Sequence, residues 1–177
     1  MRNKIEEVIN AYPLYQFGTF LSNHDQNRVY NILEESEEKM KVAAAIYLTL
    51  PGIPFLYYGE EVGMTGTKPD ENIRRPMAWS NSRYAGFSTA LPWNAPASNY
   101  PTNNVAIMEQ YESSLLNHYK KLIQTRAELS ALRTGTYEEV SSNNEAVLSF
   151  VRKDEAGKVL VLINPTSTNK LINVEFS

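Results

Sequence analysis

Cysteine is absent from the 177 residues, which excludes a disulfide framework, thiolate metal sites, iron–sulfur ligation and a thiol nucleophile. Histidine is scarce. His24 and His118 are the only two, so a three-histidine zinc site is excluded as well. No charge of one sign dominates: the net charge is −3, and no sequence-wide basic field invites nucleic acid. Residues 1–10 are charged and lack the apolar centre of a signal peptide. The one long uncharged stretch, 42–58, approaches the ~20 residues a membrane-spanning helix needs. Pro51, Gly52 and Pro54 interrupt it, and they point to a helix that stops near Leu50 followed by an extended segment. Internal repeats and low-complexity tracts are missing too. What is present is ordinary globular material, 42% hydrophobic and 21% charged, which excludes disorder as the main state. The length fits one domain or two small ones, against a soft prior of ~150 residues each. Tyrosine is abundant, at 11 residues. Its first use is in strands and cores, and its second is as a flat face with a hydroxyl, suited to sugar rings.

The apolar spacing predicts a helix over 4–11, ended by Pro13, and a short strand over 17–21. Ser36 reads as an N-cap, with Glu37 and Glu38 in the first turn of a helix over 37–50. The near-continuous apolar run 53–58 predicts a strand buried on both faces, as in parallel sheets. Strand, helix and strand on short links form a βαβ unit. Residues 60–104, rich in Pro, Asn, Gly and Ser, show no periodic element, and loops of that length are usually functional. A long amphipathic helix is expected over 106–129, with Leu115, Leu116, Tyr119, Leu122 and Ile123 on its apolar stripe. Strand-like runs at 135–140, 146–151, 158–163 and 171–176, with turn residues between them, predict an antiparallel meander. The change of character places a domain boundary near Arg133.

Three clusters carry chemistry. Ser22-Asn23-His24-Asp25 follows the first strand, where sites collect in parallel α/β folds, although Asn and Asp are also common helix-starting residues. Glu60 and Glu61 follow the second strand. Asp70 and Arg74 lie in the long loop, and a carboxylate with a planar guanidinium is a standard grip for neutral polyols, or else a plain surface ion pair. On chemistry alone, Asp25 with Glu60 or Glu61 would serve as the two carboxylates of a glycosidase.

Taken together, the clusters resemble the α-amylase superfamily, glycoside hydrolase family 13. Phe20-Leu21-Ser22-Asn23-His24-Asp25 is similar to the motif after the seventh barrel strand, and Gly52-Ile53-Pro54 through Gly59-Glu60-Glu61 is similar to the strand-eight motif. Lys68-Pro69-Asp70 to Arg74, followed by Arg75-Pro76-Met77-Ala78-Trp79, resembles the loop after strand eight. Ala131-Leu132-Arg133-Thr134-Gly135 resembles the passage into the family's C-terminal β-domain. The resemblance implies roles. Asp25 matches the third catalytic carboxylate, which grips sugar hydroxyls and favours the distorted transition state. His24 matches a histidine bonded to the same sugar. Asp70 and Arg74 match an acid and an arginine on the non-reducing side of the cleavage point. Arg28 fits a substrate-side arginine that often follows the strand-seven motif. Glu61 matches a motif glutamate of architectural use.

In that family the nucleophilic aspartate follows strand four and the acid/base glutamate follows strand five, and neither motif occurs here. The pairing of Asp25 with Glu60 therefore gives way. The implied fold is α/β: the C-terminal portion of a (β/α)8 barrel over 1–132, then the start of an antiparallel β-sandwich domain over 133–177. The implied parent is a retaining hydrolase of α-1,4-linked glucans, the segment alone being inactive. An α-1,6-glucosidase, a transglycosidase or a non-catalytic binding member of the superfamily are the alternatives. No metal ligand or cofactor is expected within this segment, and a calcium ion in the parent would be held by other residues. The expected partners are an α-glucan, and either the remainder of the barrel or a second copy meeting the exposed strands; nucleic acid and a membrane span are not expected. Extracellular, periplasmic and cytoplasmic settings are all compatible.

Overall fold

A computed structural model describes residues 2–13 and 15–174. It opens with helix α1 (Arg2–Ala11), strand β1 (Gly18–Thr19), helix α2 (Val29–Ile32), helix α3 (Glu37–Thr49) and strand β2 (Ile53–Pro54). A 3₁₀ turn (Glu60–Val62), helix α4 (Asp70–Ile73), a second 3₁₀ turn (Arg83–Gly86) and helix α5 (Val105–Met108) punctuate the long loop. Helices α6 (Leu115–Glu128) and α7 (Ser130–Thr134) lead to strands β3 (Thr136–Glu139), β4 (Leu148–Lys153) and β5 (Lys158–Ile163). Among the described residues no helix is long and apolar enough to cross a membrane.

The chain forms two compact units. The first comprises Met1–Thr19, Ala44–Phe55 and Leu122–Ser177. It holds two sheets. In one, β1 pairs with β2 in parallel, Gly18 opposite Ile53, as the βαβ pattern requires. In the other, β3, β4 and β5 form the expected antiparallel meander. The middle strand β4 is buried on both faces: Leu148, Ser149, Phe150, Val151 and Arg152 are all inaccessible, and Phe150 stacks at 5.2 Å on Tyr137 of β3. Two buried arginines tie the end of α3 in place. Arg126 donates to the carbonyls of Leu48 (2.8 Å), Leu50 (3.1 Å) and Gly52 (2.8 Å), and Arg152 donates to Thr49 (2.7 Å) and Gly135 (2.9 Å). They satisfy orphan carbonyls at a helix C-terminus and set positive charge against its dipole.

The second unit comprises Phe20–Ala43 and Leu56–Lys121. Its core gathers Met40, Val62, Met64, Ile73, Ala78, Ala85, Leu115 and Tyr119, each at most 1% exposed. Much of this core comes from the long loop. Methionine suits it because an unbranched thioether fills irregular gaps between non-repeating backbone. Gly59, at φ 81°, turns the chain back after β2, and a Cβ there would strike the Met64 side chain.

Three expectations are corrected. The run 53–58 is a strand only over Ile53–Pro54, and Ile53, Phe55, Leu56 and Tyr58 are 39–59% exposed rather than buried. A two-stranded sheet covers one edge of β2 and little of its faces. The helix expected over 106–129 is two helices, α5 and α6. Ser114 restarts the second, its hydroxyl accepting from the amide of Asn117 (3.2 Å), and on the stripe Ile123 stays 46% exposed. The strand expected over 171–176 reduces to one bridge between Ser142 and Val174, with Phe176 outside the described residues.

Candidate active site

The segment after β1 is shaped by its asparagines. The Asn23 side chain accepts from the Asp25 amide (2.9 Å), an Asx turn, while the Gln26 amide reaches back to the Asn23 carbonyl (3.3 Å). This turn lifts His24 and Asp25 into solvent, with side chains 66% and 63% exposed. Asn27 and Asn31 then stitch the long loop to this segment: Asn27 accepts from the Lys68 amide (2.7 Å) and Asn31 from the Gly66 amide (2.6 Å). The Arg28 amide donates to the Gly66 carbonyl (2.9 Å). These bonds bring α4 beside the turn.

Asp70 opens α4 and Arg74 follows its last residue, one turn later on the same face. The Arg74 guanidinium gathers the site. Its Nε donates to the His24 carbonyl (2.9 Å), and its Nη2 donates to Asp25 Oδ1 (3.1 Å) and Asp70 Oδ2 (2.7 Å). His24 Nε2 lies 3.4 Å from Asp25 Oδ2. Lys68 bonds the other oxygen of Asp70, and that bond, followed by the Arg74 charge, holds the Asp70 carboxyl below its ordinary range. Four side chains thus meet on one open face: two carboxylates, an imidazole and a guanidinium held as a planar fork.

The structure keeps Arg28 apart from this cluster. Its side chain is 1% exposed, its guanidinium lies 4.1 Å from the Tyr57 ring centroid and 4.6 Å from that of Tyr58, and its Nη1 donates to the Tyr58 carbonyl. Burial lowers its pKa, while the Tyr57 and Tyr58 hydroxyls and Glu61 oppose that. Arg28 thereby supports the segment following β2 from beneath. Glu60 is also buried and accepts from the Tyr119 hydroxyl (2.8 Å), so it anchors α6. Burial raises the Glu61 pKa. Neither glutamate is among the carboxylates that Arg74 gathers. Among the described residues, no group of three or more His, Asp or Glu side chains is placed to hold a metal ion.

Asn27 and Asn31 escaped the sequence reading, and Asn23 and Lys68 entered it as members of motifs without the bonds they make. Their signal was the density of asparagine around His24 and the position of Lys68 two residues before Asp70.

A profile of the family described as "Alpha amylase, catalytic domain" matches residues 1–135. The chain belongs to the α-amylase family. It is 42% identical to Alpha-amylase 3 of Dictyoglomus thermophilum over 82% of this chain and 29% of that one. Among solved structures, an alpha-amylase from H. orenii is 40% identical with a TM-score of 0.74, over 84% of this chain and 30% of that one. An isomaltulose synthase from Erwinia rhapontici in complex with D-glucose is 27% identical with a TM-score of 0.78, over 92% and 37%. The chain therefore spans about a third of the length of these relatives. The structural neighbours are (β/α)8 barrel enzymes, and the α-amylase family to which the chain belongs is one of glycoside hydrolases.

Proposed function

We propose that this chain is the C-terminal portion of the catalytic barrel (1–132) and the beginning of a β-domain (133–177) of a retaining enzyme that hydrolyses α-1,4-linked glucans. The observation carrying this reading is the Arg74 guanidinium bonded at once to the His24 carbonyl, Asp25 and Asp70. In a retaining mechanism two carboxyls ~5–5.5 Å apart act as nucleophile and acid/base. Strands outside this chain supply both. Asp25 supplies a third carboxylate, whose bonds to sugar hydroxyls strengthen as the ring flattens toward an oxocarbenium ion. His24 contacts the same sugar, and Asp70 and Arg74 hold the neighbouring one. Arg28 serves the substrate at one remove, by fixing the Tyr57–Tyr58 backbone. No cofactor enters this reading. Higher identity to alpha-amylases, at 42% and 40%, than to oligo-1,6-glucosidase 3 of Bacillus subtilis, at 29%, supports α-1,4 over α-1,6 linkages.

Steady-state kinetics of the full-length enzyme with a soluble maltooligosaccharide test the assignment. Asp25→Asn keeps shape and removes charge, so kcat should fall ~10²–10³-fold with a small change in KM, the scale of one preorganised transition-state contact. His24→Ala should cost less, since a neutral hydroxyl contact exists in both states. An Asp25→Asn enzyme with unchanged kcat and raised KM would make Asp25 a binding residue only.

A further inference from the structure

The Asp70 carboxylate is held from two sides. Arg74 Nη2 donates to Oδ2 (2.7 Å), and the Lys68 ammonium donates to Oδ1. An arginine and a carboxylate left to themselves pair through two parallel bonds, because the planar fork matches the two oxygens. Here they pair through one. The guanidinium places its other bonds elsewhere, Nε on the His24 carbonyl (2.9 Å) and Nη2 also on Asp25 Oδ1 (3.1 Å). The oxygen of Asp70 that would complete the fork is the one Lys68 holds.

The backbone around this trio is fixed from other directions. The Lys68 amide donates to the Asn27 side chain (2.7 Å), and the Asn94 side chain donates to the Glu71 carbonyl (2.6 Å). Arg75, next after Arg74, donates to the carbonyls of Ala95 (3.0 Å) and Pro96 (3.1 Å). The bonds left free to redistribute are those of the side chains. Lys68, Asp70 and Arg74 are all half-exposed, so nothing packs them into one arrangement. The Lys68 bond is also the main influence that keeps the Asp70 carboxyl below its ordinary range, ahead of the Arg74 charge.

We propose that Lys68 is a positioning residue for the hydrolysis: by holding one oxygen of Asp70 it limits the Asp70–Arg74 pair to a single bond and leaves Arg74 to fix the His24 carbonyl and Asp25. It rests on the function proposed above, and it adds a residue that acts on the reaction without touching the sugar. Without the ammonium, Asp70 presents both oxygens and captures Arg74 in a two-point fork. The guanidinium then turns toward α4, and its bonds to the His24 carbonyl and to Asp25 lengthen. Asp25 keeps its charge and loses its fixed place.

Lys68→Met keeps the length of the side chain and removes its charge and donors. The full-length enzyme carrying this change is crystallised, and assayed with the soluble maltooligosaccharide. Arg74 should make two bonds to Asp70 and leave hydrogen-bond reach of Asp25. The kcat should fall about tenfold with KM within about twofold, a smaller loss than for Asp25→Asn because the carboxylate is displaced rather than discharged. Thermal unfolding should change little, since an exposed ion pair contributes little stability. In an Asp70→Asn background Lys68→Met should add nothing, because an amide has one acceptor oxygen and cannot form the fork. An Arg74 that stays on the His24 carbonyl and Asp25 without Lys68 overturns the proposal. So does a raised KM at unchanged kcat, which makes Lys68 a direct sugar contact, and so does an equal loss of kcat in the Asp70→Asn background. An Asp25→Asn enzyme with unchanged kcat is a different failure. It removes the catalytic reading of Asp25, while the position of Arg74 in the Lys68→Met crystal still decides whether Lys68 restrains it.

Discussion

Arg74 and Glu61 are charges used in opposite ways. Arg74 is half-exposed and shares its hydrogen bonds among three partners, so its charge is stabilised before any ligand arrives. Glu61 is largely buried, and one of its oxygens meets no hydrogen-bond donor among the described residues. Desolvation raises its pKa more than two backbone bonds and the Arg28 charge lower it. A raised carboxyl binds protons more tightly in the folded state. Its favourable contribution is complete below the unfolded pKa of ~4.3 and is lost as pH rises through the folded value. Glu61→Gln should therefore stabilise the protein at neutral pH, by about 1 kcal/mol on the scale of an unsatisfied buried group. The gain should vanish below about pH 4. Thermal unfolding of both proteins from pH 4 to 8 measures it, and curves that stay parallel would remove the assigned cost. At this scale the motif residues were readable in advance: His24, Asp25, Asp70 and Arg74 meet through bonds that the geometry makes explicit. The burial of Arg28 was not readable. An arginine after an exposed turn looks solvent-facing until the Tyr57 and Tyr58 rings are known to lie against it.

The elements of this chain are held by arginines as much as by apolar faces. Helix α3 ends at Thr49 without a glycine, and its last carbonyls are met by Arg126 of α6 and Arg152 of β4. Removing Arg126 strands the carbonyls of Leu48, Leu50 and Gly52 together. Arg126→Ala should destabilise the protein by about 2–4 kcal/mol, the range for lost charge-assisted bonds that leave buried acceptors unpaired. The nearby Arg152 charge repels Arg126, and relief of that repulsion favours the lower end. Arg126→Lys should recover little, because one ammonium cannot reproduce a planar fork reaching three carbonyls. Urea unfolding of the three proteins tests this. Sequence patterns located α1, α3 and the β3–β5 meander because each has a local period and a local stop signal. They overextended β2 and fused α5 with α6. An apolar run states hydrophobicity and not pairing, and the break before Ser114 contains no proline or glycine to announce it. The long loop was legible as a loop, but its buried methionines follow no period at all.

At the scale of the molecule, the parallel pair β1–β2 is the part of the fold least able to stand alone. A parallel sheet is stable when strands and helices cover its edges and faces, and here two strands of two residues each carry the pairing. In the first unit Ile53 and Phe55 remain 50% and 59% exposed, next to an edge that pairs with no further strand among the described residues. In barrels of the kind the structural neighbours form, further strands cover such edges. The purified 177-residue chain is therefore expected to associate with itself through this strand pair, in competition with any upstream barrel segment supplied in trans. Ile53→Lys places a charge on the strand at a position that is already half in solvent. It should cost little stability and shift the sedimentation profile toward the monomer, since lysine on an edge strand blocks strand-to-strand docking. Glu138→Lys on β3, in the separate meander sheet, controls for added charge and should leave association unchanged. If the unmodified chain sediments as a monomer at tens of micromolar, the exposed strand pair is not an interface. If Glu138→Lys dissociates it equally well, the interface lies elsewhere.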